Sequence, residues 1–146
     1  MNLQQTLKCT WGSRIKALVS FGDVEEGDLG GYIEKEENLD QSGDARVGGN
    51  ARVGGNAWVG GDAWVRGNAW VDGNADYTTI HGFGSEYRTT TFFRQKDGSI
   101  GVTCGCFYGT LEQFREKVKE THGDSKFAKE YLMAADLMEL HFCKEE

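Results

Sequence analysis

The chain has no proline, so no turn is preset by a pyrrolidine ring, and turns fall to its 21 glycines with Asn and Asp beside them. Cysteine is scarce. Cys9, Cys104, Cys106 and Cys143 are too few and too scattered for a disulfide framework, and free thiols are expected. No window approaches the ~18 apolar residues needed to cross a bilayer. The N-terminus also lacks the basic-then-apolar layout of a signal peptide, so no membrane partner and a cytoplasmic location are expected. Positive charge is in deficit. Against 23 acids the 16 Lys and Arg leave a net charge of -7, and duplex nucleic acid would meet a repulsive mean field. Nucleic acid is therefore disfavoured as a partner. What remains is 38% hydrophobic and 27% charged over 146 residues, enough for one domain or for a repeat element with a small companion fold.

That repeat runs from Gly43 to Thr78. Gly43, Gly49, Gly55, Gly61, Gly67 and Gly73 recur every sixth residue. Each is followed by Asn or Asp, then Ala, and in the first five units by Val two positions later. A helix needs apolar intervals of three and four and would lose roughly 1 kcal/mol at every glycine. Short extended segments suit the pattern better, because Ala and Val two apart point to one side and the residue between them to the other. The unit resembles that of hexapeptide-repeat proteins, in which three units make one coil, and this resemblance implies that residues eighteen apart stack at about 4.8 Å. Asn50 meets Asn68, Asn56 meets Asn74, and on the outside Arg46 meets Trp64 and Arg52 meets Trp70 as cation–π pairs.

Those proteins fold as left-handed parallel β-helices, which the resemblance implies for this repeat. The runs LGGYIEKEENL before the repeat and YRTTTFFRQKDGSIGVTCGCFYGTLEQFREKVKETHGD after it resemble uncharacterised proteins of phages and prophages of gut Gram-positive bacteria. These likenesses imply a phage origin and, for the product, the host cytoplasm. Hexapeptide-repeat relatives include acyltransferases that use acetyl-CoA, usually as trimers, with a histidine as base; only His81 lies near the repeat to take that role.

Ile15, Ala17, Val19 and Phe21 alternate with polar neighbours and predict an entry strand ending at Gly22-Asp23. Ile33 and Leu39 fall where the later alanines fall, and Asn38 on the Asn/Asp position, as in an atypical capping unit. After Thr78, His81 to Ser85 reads as a loop, and Arg88 to Gln95 as a strand with Arg88, Thr90, Phe92 and Arg94 on one face. Asp97-Gly98 marks a hairpin, and Ile100 to Tyr108 returns. Thr110 with Gln113 forms a capping box for a first helix ended by Gly123. A second helix follows from Asp124 or Ser125, with Phe127, Tyr131, Ala134 and Met138 inward. The expected architecture is mainly β: a segment over 1–36, a short left-handed β-helix over 37–79, and a ββαα unit over 80–146.

Candidate sites follow from side-chain chemistry. His81, Ser85, Arg88, Thr90 and Arg94 combine hydroxyl donors, guanidinium forks and a glycine-bearing loop, the groups that phosphate or carboxylate oxygens need. Arg46, Arg52, Trp58, Trp64 and Trp70 face outward, and large exposed aromatics mark an interface or a ligand surface. Cys104-x-Cys106 lacks the further ligands of a zinc site, so no metal and no cofactor are expected. Two repeat turns bury little, so self-association into a homo-oligomer is expected. The prism is also short for a cleft holding a long thioester. The expected function is non-catalytic, a binding and oligomerisation module; the phage-like runs imply that it antagonises a host defence by holding an anionic, nucleotide-like molecule or a host protein. Acyl transfer from acetyl-CoA through His81 and a purely structural assembly role are the alternatives.

Overall fold

The computed structural model describes residues 4–8, 13–17, 20, 25–40 and 44–143. Val19, Phe21, Gly22-Asp23, Cys9, Gly43 and the acidic tail lie outside them.

Two antiparallel pairings open the chain, joining β1 (Gln4–Lys8), β2 (Ser13–Ala17) and β3 (Leu29–Ile33). The repeat then supplies four strands of two residues each: β4 (Arg46–Val47), β5 (Arg52–Val53), β6 (Trp64–Val65) and β7 (Trp70–Val71). Arg46 registers with Trp64 and Arg52 with Trp70, both parallel and both eighteen residues apart. The alanine and valine columns are shut away: Ala51, Val53, Val59, Ala63, Val65, Ala69 and Val71 expose nothing measurable. Ile15, Ile33, Leu39 and Phe93 complete this first core.

The repeat does not make the free-standing left-handed β-helix expected of it. β5 and β7 belong to a five-stranded mixed sheet in the order β1-β2-β3-β5-β7, while β4 and β6 form a separate two-stranded sheet. No continuous sheet solenoid runs through the described residues. The physical reason lies in the chain's economy. A glycine every six residues limits each strand to an Arg-Val or Trp-Val pair, and with so few units each strand has one repeat neighbour. For β5 the N-terminal segment supplies the second neighbour, β3, which joins it in parallel and is itself paired antiparallel with β2. The entry phase also differs from expectation. Ile33 pairs with Val53 and Leu39 bridges to Val59, so both sit on the valine column and not the alanine one. A 3-10 turn over Glu36–Asn38 accompanies this offset. Asn38 is buried at its end, its Nδ2 donating to Ala57 O at 2.8 Å while its Oδ1 accepts from Lys35 N–H at 2.9 Å.

Four strands, and not two, precede the helices. β8 (Tyr77–Phe83), β9 (Arg88–Arg94), β10 (Ile100–Cys104) and β11 (Phe107–Thr110) form an antiparallel sheet in the order β11-β10-β9-β8. The span His81–Phe83, expected as a loop, is the end of β8. Its Gly82 has φ of 89° and lies where the register with β9 shifts between His81 and Phe83. A glycine inside a strand marks a bulge as readily as a loop. The expected return strand is likewise broken in two, because Gly105, at φ of 58°, opens a two-residue turn between Cys104 and Phe107. Glycine at the first central position suits such a hairpin turn.

Alternation along β9 joins the two halves of the molecule. Phe93 faces the repeat core, whereas the adjacent Phe92 faces a second core with Val102, Phe114, Val118, Tyr131, Ala135 and Met138. That second core is built by α1 (Leu111–His122) and α2 (Lys126–Phe142). Thr110 caps α1 reciprocally, its Oγ1 accepting from Gln113 N–H at 3.2 Å while Gln113 Oε1 accepts from Thr110 N–H at 2.9 Å. Ala128 and Ala135 take buried positions on α2 where Phe127 and Ala134 were expected; Phe127 and Ala134 are half-buried beside them. The sheet also finishes the repeat: Lys96 N–H donates to Asn68 O at 2.9 Å and Trp64 N–H to Thr91 Oγ1 at 3.0 Å. Backbone groups on the last strands, which would otherwise template further pairing, are thus occupied. No helix among the described residues is long and apolar enough to cross a membrane.

Candidate functional site

A strand sends successive side chains to opposite faces, and this separates the residues expected to form one anion site. His81 stands on the repeat-facing side, exposed, with its Nδ1 at 2.8 Å from Thr89 Oγ1. Thr90 points the other way and is fully buried, its hydroxyl donating to Cys104 Sγ at 3.3 Å. Arg94 serves as a clamp. Its Nε donates to Asp76 Oδ1 at 3.0 Å, and its guanidinium lies 5.5 Å from the Phe142 ring centre. Ser85, in the turn between β8 and β9, lines a cavity on the helix side. Arg88 alone of the five reaches both sides.

On the repeat side a cavity of about 320 Å3 lies where the four-stranded sheet meets the repeat. Thr89, Thr91 and Thr103 line it from the sheet, Thr91 and Thr103 in register across β9 and β10. Arg46, Arg88, His81 and Asp62 surround them, and Trp64 forms a wall. The Arg46 guanidinium lies 3.7 Å from the Trp64 ring centre, and that of Arg66 lies 4.3 Å from it. This pairing aims Arg46 at the junction instead of at a free outer face. Trp64 is half-buried, whereas Trp58 and Trp70 keep 51% and 37% of their surface exposed. Arg52 approaches Trp70 at 5.4 Å.

Two features of this cavity escaped the sequence reading. Thr103 is 3% exposed, and its Oγ1 has no hydrogen-bond partner among the described residues. A buried hydroxyl left unsatisfied costs about 1–3 kcal/mol, which makes it an uncommon feature to find at the wall of a cavity. Gly105 is the other. A Cβ there would stand 1.8 Å from Arg88 Nη1, so the turn's missing side chain is the space the guanidinium occupies. Both residues could have been sought by carrying the strand alternation across the hairpin to β10.

The opposite face offers different chemistry. A cavity of about 300 Å3 opens between the sheet and α1, walled by Phe107, Phe114, Val118 and Tyr131. Burial, and after it the neighbouring Cys104, pushes the Tyr131 phenol up to about 12. The phenol is accordingly a donor, and it donates to Phe83 O at 3.1 Å. Cys104 is half-buried and Cys106 exposed. No group of three or more His, Cys, Asp or Glu among the described residues is placed to hold a metal ion.

No family model, curated protein or solved structure matches the chain. The likeness to hexapeptide-repeat proteins and to phage proteins is therefore unsupported, and with the strand arrangement above it is set aside. The expected phage origin goes with it, and acyl transfer loses the likeness that suggested it. The residues at the junction keep their own chemistry.

Proposed function

We propose that the chain is a non-catalytic binding module that holds a small oxyanion-bearing molecule in the junction cavity. The observation that carries this is Thr103, whose buried hydroxyl has no partner among the described residues, at the wall of a cavity that also gathers Arg46, Arg88 and His81. Guanidinium forks and hydroxyls are the donors that phosphate and carboxylate oxygens take up. Asp62 adds an acceptor, so the favoured ligand carries a hydroxyl or amino donor beside its anionic group, as a nucleotide-like signal does. Holding such a molecule without turning it over is sequestration. The exposed Trp58 and Trp70 support a second copy of the chain as a further partner.

Titration calorimetry with pyrophosphate and with nucleoside monophosphates tests this reading. Saturable binding is expected, weakened about tenfold or more by Arg88→Ala and by Thr103→Val. Binding unaffected by either substitution overturns the assignment of the site. Turnover of acetyl-CoA that disappears in His81→Ala would show an enzyme in its place. Tryptophan-dependent oligomers that take up no ligand would show an assembly protein.

A further inference from the structure

The cavity on the helix side is as large as the smaller ligand pockets of proteins, which begin at roughly 300 Å3, and its character differs from that of the junction. Its walls are aromatic and aliphatic: Phe107 and Phe114 with ring centres 5.9 Å apart, Tyr131 at 5.6 Å from Phe114, and Val118 one helical turn along α1. The rim carries Arg88 and Lys117, with Glu86 as the opposing acid. An apolar chamber with cations at its mouth fits a ligand with an apolar body and one anionic head. A highly charged phosphate fits it less well, because its oxygens would be desolvated against these apolar walls.

Arg88 connects this chamber to the junction. Its guanidinium lies against the bare Cα of Gly105, at the end of the sheet, and the residue lines both cavities. Arg88 carries a single positive charge, and an anion paired with it in either cavity neutralises the charge that would hold an anion in the other. We propose that the helix-side cavity is a second site, taking a compact aryl or short-chain carboxylate whose head group is held by Arg88. Occupancy of one cavity then opposes occupancy of the other. The competition rests on the reading of the junction as an anion site; the carboxylate site itself does not.

The test uses phenylbutyrate as the carboxylate, its uncharged amide as control, and pyrophosphate as the junction ligand, followed by amide chemical shifts on the whole chain. Phenylbutyrate is expected to shift Phe107, Phe114, Val118 and Tyr131. Its affinity should fall about tenfold or more in Arg88→Ala and in the change from acid to amide. Thr103→Val should leave it unaltered, because Thr103 lines the other cavity. Saturating pyrophosphate should raise its apparent Kd by about fivefold or more, the lower range of measured couplings between sites. Absence of phenylbutyrate shifts at those four residues overturns the site, and equal affinity for the amide overturns the role of Arg88. Phenylbutyrate binding that persists while pyrophosphate fails to bind leaves this site standing and removes the junction reading. Independent binding of both ligands overturns the competition.

Discussion

At the scale of single residues the junction sets function against stability. Thr103→Val replaces a hydroxyl with a methyl of nearly the same shape in a site where the hydroxyl has no partner among the described residues. The substitution should raise stability by about 1 kcal/mol, because it removes a buried donor that folding strips of water. The same change should weaken oxyanion binding. Urea midpoints and titration on one sample check both arms, and a destabilised variant would mean that the hydroxyl is already satisfied. Tyr87 offers a contrast. It is the one described non-glycine residue with positive φ, at 51°, and it is 67% exposed. A left-handed conformation costs an L-residue roughly 1–2 kcal/mol, which the larger unfolded entropy of glycine partly offsets. Tyr87→Gly should therefore stabilise by about 0.5–1 kcal/mol, read as a higher urea midpoint with unchanged slope.

Tyr131 gives a pH dependence of definite sign. Its phenol is pushed up to about 12 in the folded chain, against about 10 for an exposed phenol. Above pH ~10 the unfolded chain sheds a proton that the folded chain keeps, so stability falls as pH rises through that window. Below it the contribution is fully present. Urea midpoints measured across the window should decline in the native chain, and more gently in Tyr131→Phe. That variant starts lower at neutral pH, because Phe83 O loses its donor.

At the scale of elements, what could be read from the sequence was what local chemistry decides. The Thr110–Gln113 box, the Gly98 turn and the pairing of Arg46 with Trp64 all follow from residues within one turn or from a strict period. The failures share a cause in contacts between elements. Gly82 reads as loop because nothing within the segment reveals that β9 lies beside it and leaves room for a bulge. A six-residue count places Ile33 on the alanine column because it does not contain the 3-10 turn after Ile33, which changes the phase. The candidate site was half legible. Residues grouped by proximity in sequence are divided by the pleat, which buries Thr90 against Cys104, ties Arg94 to Asp76, and brings Thr89, Thr91 and Thr103 to the junction cavity. Thr110→Ala tests an element in isolation. Losing the cap should cost about 1 kcal/mol and lower the urea midpoint without altering binding at the junction.

At the scale of the whole molecule the four-stranded sheet is the shared wall of two cores, and this governs how the chain unfolds. Phe93 and Phe92 are adjacent on β9, both fully buried, one in each core. Removing either side chain should cost about 3–5 kcal/mol, a large part of the 5–15 kcal/mol typical of a domain. Because β9 cannot leave one core without leaving the other, the cores should melt together although their helices and repeat strands make separate sheets and layers. The chain carries its own probes for this. All four tryptophans precede residue 72, while both described α-helices follow residue 110. Tryptophan fluorescence therefore follows the repeat, and helical circular dichroism follows the second core. The two transitions should coincide in urea for the native chain and, at lower denaturant, for Phe93→Ala and Phe92→Ala alike. If Phe93→Ala moves the fluorescence transition and leaves the helical one in place, the sheet is not a common wall and the two cores fold as independent units.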